Sequence, residues 1–176
     1  RLGKTGTGVA HCPTSNARLG AGIAPVPELL AARAPVGLGV DGAAANDNGG
    51  LAAEMRQSLL AARARQGATA LSARQALAVA TMGGARCLGR QDEIGSLEVG
   101  KQADVALWRL DDLGHSPIAD PVWALVCGPP ARLELLTVAG LPVVEGGQLR
   151  TADPAPLARE VRDAARALMA ASASRR

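Results

Sequence analysis

Two short apolar runs set the fold class of this chain. Residues 7–12 (TGVAHC) and 36–40 (VGLGV) each have the length of a buried strand. Between them lie a polar, Gly-containing loop, 14–25 (TSNARLGAGIAP), and a helix that Pro27 opens and that runs through Arg33. Strand, helix and strand within one sheet require parallel pairing and a right-handed crossover. Pro13 ends the first run because it has no N–H for the ladder. Asp41-Gly42 ends the second. The chain therefore reads as α/β.

Further along, 43–50 (AAANDNGG) is a loop. Leu51, Met55, Leu59 and Ala62 recur at helical spacing over Leu51–Gln66, and Gly67 ends that helix. Ser72 with Gln75 forms a capping box for a helix to about Leu88. Gly83-Gly84 weakens it unless close packing requires them. From Asp92 the pattern turns strand-like. Leu97, Val99, Val105 and Leu107 alternate, and residues 133–138 and 143–145 flank Ala139-Gly140-Leu141-Pro142 as a hairpin, with a second turn at Gly146-Gly147. Asp153 and Pro154 open a last helix whose stripe is Leu157, Val161, Ala164 and Leu168. Ser172 to Arg176 is expected to fray.

Composition excludes several classes. Apolar residues are 48% and charged residues 20%, which is not a disordered chain. No apolar run approaches the ~20 residues of a membrane span, so no membrane partner is expected. The net charge of +3 is scattered, and Phe and Tyr are absent, which argues against a nucleic-acid partner. Cys12, Cys87 and Cys127 are far apart and odd in number, so neither a zinc knuckle nor a disulfide framework is supported, and a cytoplasmic location is the default. Arg1 stands where a Met would open a gene product. The expectation is an interior or carboxyl-terminal piece of something longer.

Few residues could carry chemistry. Asp41 follows an apolar strand after a βα unit, where an acid faces the ligand crevice of an α/β fold and could bind a metal or accept a proton. Asp-Gly is also an ordinary turn pair. His11 and Cys12 close the preceding strand and point opposite ways, so they cannot share one metal. On the residues alone His11 reads more as a satisfied structural residue than as a ligand, though its strand-end position favours the site, and Cys12 reads as a small buried hydrophobe. His115 has no visible partner and reads as surface. Thr14, Ser15 and Asn16, like Asn46, Asp47 and Asn48, could donate to a ligand or cap loop backbone. The chain has no H-x-H, H-x-x-E-H or G-x-S-x-G.

GTGVAHCPTSNARLGAGIAPV followed by VGLGVDGAAANDN resembles the last two barrel strands of the amidohydrolase superfamily, in its branch of cyclic deaminases acting on purines and triazines. GSLEVGKQADVALWRL and DPVWALVCGPPARLELLTVAGLPVVEGGQL resemble the strands that follow. The resemblance reaches about residue 150. It implies the carboxyl-terminal part of a (β/α)8 barrel in 1–91, strands of a small composite β-sandwich in 92–150, and a terminal helix and tail in 151–176. It implies one divalent metal, zinc or iron, and a small heterocyclic substrate such as 8-oxoguanine, from which a C–N bond is hydrolysed. Asp41 stands where the eighth-strand ligand and proton acceptor stands. His11, Ser15 and Asn16 match the seventh-strand H-x-P-x-S-N motif that shapes the substrate pocket. The remaining ligands and the catalytic Glu would lie upstream of Arg1, so the piece alone is expected to be inactive. The family's DGSASND loop reads AAAND from Ala43 to Asp47, which bears on that loop and not on the Asp. A homo-oligomer is a further expected partner. A non-catalytic remnant serving as an oligomerisation or binding module, and a related chemistry such as imidazolone hydrolysis, are the competing expectations.

Overall fold

The computed structural model describes residues 1–173. After a short helix, α1 (Leu2–Thr5), come β1 (Val9–His11), α2 (Pro13–Leu19), α3 (Val26–Ala31) and β2 (Val36–Leu38). β1 and β2 pair in parallel, Val9 opposite Val36 and His11 opposite Leu38. The expected parallel βαβ unit is present, with one correction. Residues 14–19 are helix, and only 20–25 are irregular. Pro13 ends the strand and occupies the first helical position, where its missing N–H breaks no helical bond. Gly20, at φ 67°, closes the helix in the left-handed region.

α4 (Leu51–Gln66) matches its periodicity. It buries Met55, Leu59 and Ala62, while Leu51 in its first turn stays exposed. α5 (Ala73–Ala78) starts with the capping box, Ser72 accepting from the Gln75 N–H and Gln75 from the Ser72 N–H. A π-helical turn, Val79–Gly83, and α6 (Gly84–Cys87) continue it. Close packing explains the Gly pair. A Cβ on Gly83 would collide with the Val36 carbonyl, and one on Gly37 would lie 2.8 Å from the Gly84 Cα. The core joins Val26, Val36, Met55, Leu59, Leu71, Ala76 and Val79, and uses small and aliphatic side chains throughout.

The rest is an antiparallel sheet in the order β3-β4-β5-β6, from β3 (Val105–Arg109), β4 (Arg132–Val138), β5 (Leu141–Glu145) and β6 (Gln148–Leu149). Ala139 and Gly140, at φ 50° and 80°, form the first hairpin turn, so Leu141 and Pro142 belong to β5 rather than to the turn. Leu97 and Val99 are not strand residues. Turns fill 92–104, the Lys101 ammonium clamps the Gln91 carbonyl at 2.6 Å and Ser96 Oγ at 2.7 Å, and Leu97 and Val99 stand in solvent. α7 (Pro121–Cys127), unforeseen in sequence, is capped by Asp120, which accepts from the Val122 N–H. His115 is buried, contrary to the surface reading. Its Nδ1 lies 2.7 Å from Asp112 Oδ1 and its Nε2 lies 3.1 Å from the Pro129 carbonyl.

Arg56 on α4 joins the two parts, donating to the carbonyls of Cys127 and Gly128 at the end of α7. Arg63, about two turns on, lies over the Trp123 ring, 5.3 Å from its centroid. α8 (Pro154–Ala173) begins at Asp153 as expected, but buries none of its residues; Leu157, Val161 and Leu168 are exposed. Ser172 and Ala173 close α8, and the remainder of the expected frayed tail lies outside the described residues. Among the described residues no helix is long and apolar enough to cross a membrane.

Candidate functional site

β1 and β2 end at the same level, where the Gly39 N–H donates to the His11 carbonyl. Beyond this last ladder bond the chain reaches Asp41, whose backbone is left-handed at φ 65°. Asp tolerates that region better than most residues because its short side chain bonds locally. Here the Gly42 N–H donates to Asp41 Oδ1 at 2.8 Å. From the first turn of α2, buried Ser15 donates its Oγ–H to Asp41 Oδ2 at 2.6 Å. These two donors, Ser15 first, hold the Asp41 carboxyl below the usual carboxylate range. The result is an exposed, fixed anion at the carboxyl ends of two parallel strands.

Cys12 lies beside it. The thiol is half-buried rather than fully buried, and burial, with the Asp41 charge second, pushes its pKa up. It is therefore a neutral neighbour, not a thiolate.

His11 points elsewhere. Val9 and His11 share a face with Val36 and Leu38, opposite them in the register, and that face packs on the helices. Ala10, on the other face, is exposed. The His11 ring is buried, its Nδ1 has no hydrogen-bond partner among the described residues, and burial depresses its pKa against the opposing pull of Glu54. His11 and Asn16 line a cleft of about 230 Å³ together with Pro13, Gln57 and Ala61. The structure thus pairs Ser15 with Asp41, and His11 with Asn16, in two adjacent places.

One residue, Glu54, was not singled out by sequence. Glu54, in the first turn of α4, is fully buried and accepts from the Thr14 N–H at 3.1 Å and from Asn46 Nδ2 at 3.0 Å. Asn46 was one of three ambiguous loop residues. It is buried, and its Oδ1 accepts from the Asn48 N–H. Asp47 pairs with Arg18 at the surface, and Asn48 Oδ1 accepts from the Gly50 N–H. Glu54 stands at the edge of the apolar stripe of α4, next to Met55, a place that does not by itself separate a buried glutamate from an exposed one. Among the described residues no group of three or more His, Cys, Asp or Glu could hold a metal.

Residues 1–140 match the Amidohydrolase family. The chain is 48% identical to 8-oxoguanine deaminase from Pseudomonas aeruginosa, over 97% of this chain and 38% of that protein. It is 42% identical to 5-methylthioadenosine/S-adenosylhomocysteine deaminase from Desulforudis audaxviator, over 96% and 40%. Among solved structures, a zinc-bound adenosine deaminase from Xanthomonas campestris superposes with a TM-score of 0.88 at 36% identity, covering 92% of this chain and 37% of that one. The zinc complex of atrazine chlorohydrolase from Arthrobacter aurescens gives 0.82 at 38% identity, covering 92% and 36%. The chain spans about two fifths of the length of the curated relatives it matches.

Proposed function

From a chain that belongs to the amidohydrolase family and carries part of its barrel fold, we propose the carboxyl-terminal portion of a metal-dependent deaminase that hydrolyses a C–N bond on a purine or triazine ring, of the 8-oxoguanine type. In this reading 1–91 belongs to the (β/α)8 barrel, 92–150 to a composite β-sandwich, and 151–176 is a terminal helix and tail. The observation that carries it is the Ser15–Asp41 bond. An exposed carboxylate, kept ionised by a serine from one parallel strand's end and fixed at the end of the next, is what strand-end chemistry in this fold requires.

The donor set fits one corner of a divalent-metal site. Asp41 would hold zinc or iron through an anionic oxygen, and His11, turned to the helices, would not. When bound, such a metal supplies the Lewis acidity that lowers the pKa of water. The chain's own residues do the rest. Asp41 accepts a proton as water oxygen attacks the amino-bearing ring carbon. It returns that proton to nitrogen as the C–N bond breaks and ammonia leaves. The Ser15 hydroxyl fixes Oδ2 so that the carboxylate does not rotate during the transfer. Asn16 contributes to the substrate pocket, and His11 shapes its wall from behind.

The test is ammonia release from 8-oxoguanine, guanine and hydroxylated triazines, with the protein expressed together with the coding sequence upstream of Arg1. Asp41→Asn keeps size, keeps the Gly42 bond and tolerates the left-handed backbone, so circular dichroism should not change. Activity should fall by ~10²–10⁴, the worth of a general base. Activity within a few-fold of wild type would end this reading. The 176-residue chain alone should release no ammonia.

A further inference from the structure

Among the described residues Glu54 hydrogen-bonds to neither strand nor to Asp41, yet both arms of the candidate site converge on it. Oε2 accepts from the Thr14 N–H, the second residue of α2 and the neighbour of Ser15. Cys12, at the cap position of α2, supplies no side-chain cap, so this N-terminal N–H is satisfied from another helix. Oε1 accepts from Asn46 Nδ2, and Asn46 Oδ1 in turn accepts from the Asn48 N–H, in the loop that leaves Asp41. Every donor in this chain runs one way and ends on the carboxylate.

We propose that Glu54 is the positioning residue of the Ser15–Asp41 pair: an acceptor-only group that locks the start of α2 and the loop after β2 to one point on α4. This rests on the deaminase reading for its catalytic meaning, and on the hydrogen bonds alone for its structural meaning. The wiring explains why a carboxylate, fully buried, occupies this place. An amide at Glu54 could accept one of the two bonds but would turn its NH2 toward the Asn46 NH2. Asn46 could escape by flipping only if it released the Asn48 N–H.

The directionality supplies a test. Glu54→Gln puts donor against donor, and Asn46→Asp puts acceptor against acceptor. The double variant reverses the polarity of the one bond between them and keeps the others. The Gln amide then donates to the Asp oxygen and accepts from Thr14 N–H, and the second Asp oxygen accepts from Asn48 N–H. Net charge is unchanged.

Amide exchange at Thr14 and Asn48, and the amide chemical shift of Gly42, are read by NMR in the 176-residue chain. Each single variant should speed exchange at Thr14 or Asn48 at least about tenfold, as a lost buried bond does, and should move the Gly42 signal. The double variant should return all three readouts to within about threefold of wild type or to the wild-type shift. In the protein extended upstream of Arg1, kcat should fall in each single variant with little change in KM, and recover in the double. If the singles do not fold, a double variant that folds supports the wiring. A double variant no better than the sum of the singles, or an unfolded one, overturns it. Singles that leave exchange unchanged also overturn it. Rescue of exchange in a protein whose wild type shows no ammonia release would keep the wiring and remove the deaminase reading.

Discussion

His11 gives the candidate site a built-in sensitivity to acid. Its ring is buried, lacks a hydrogen-bond partner at Nδ1 among the described residues and has its pKa lowered by that burial. In the unfolded chain it titrates near its ordinary value of about 6.5. The folded state therefore binds fewer protons than the unfolded state below that pH. Its contribution to stability is whole above about pH 6.5 and is lost as pH falls through the lowered folded pKa. Denaturant unfolding between about pH 8 and pH 5 should show the decline, and His11→Gln should flatten it. An unchanged slope in the variant would assign the acid sensitivity to other groups. Asp41 was legible in the sequence because its position after an apolar strand is a local signal. Ser15 came with a motif one turn into the next element. Glu54 was not legible, because a glutamate in the first turn of an amphipathic helix looks the same whether it faces water or a neighbouring helix's N-terminus. His115 was misread for a related reason. Its partner Asp112 stood three residues away, but the Pro129 carbonyl that completes its bonding comes from a distant turn.

Elements whose signals are local were read well, and those set by packing were not. Periodicity and Gly67 bound α4, and the Ser72 capping box opened α5, because caps and stripes are written within a few residues. The same Asp-Pro signal opens α7 and α8, but only the second was read as helix. Around Trp123 the run VWALVC is apolar on all sides, and such a run has no helical stripe to show. Leu97 and Val99 alternate by chance in a loop that Lys101 organises. The π turn packs closely on β2, and Gly83 within it and Gly84 at the start of α6 make opposite predictions. Gly83→Ala meets the Val36 carbonyl and should destabilise by about 1–3 kcal/mol, as overpacking does. Gly84→Ala meets nothing within 4 Å and should stabilise by up to ~1 kcal/mol through helix propensity. Thermal unfolding of the two variants checks both signs, and equal effects would mean that the close approach to β2 is not what requires Gly83.

As a whole, the 176-residue chain leaves large surfaces unpartnered. Among the described residues the parallel sheet has two strands and so two open edges, and α8 exposes Leu157, Val161 and Leu168. Open edges and apolar stripes recruit further chains. Light scattering of the purified chain should show mass rising with concentration, and metal analysis should find far less than one tightly held ion, since a catalytic-type site takes about three protein ligands. A monodisperse monomer with a sharp melt would contradict the first expectation, and stoichiometric metal the second. The joint that α4 makes with α7 and β3 has a different consequence. Trp108 and Trp123 are the only aromatic residues of the sequence, and both sit along it. Trp108 lines the crevice beside Arg56 and Pro129, and Trp123 lies under the Arg63 guanidinium. Parting α4 from α7 and from β3 would strip the cation from Trp123 and open the crevice beside Trp108. The chain's intrinsic fluorescence is therefore an optical gauge of that one joint, unmixed with signal from anywhere else in the fold.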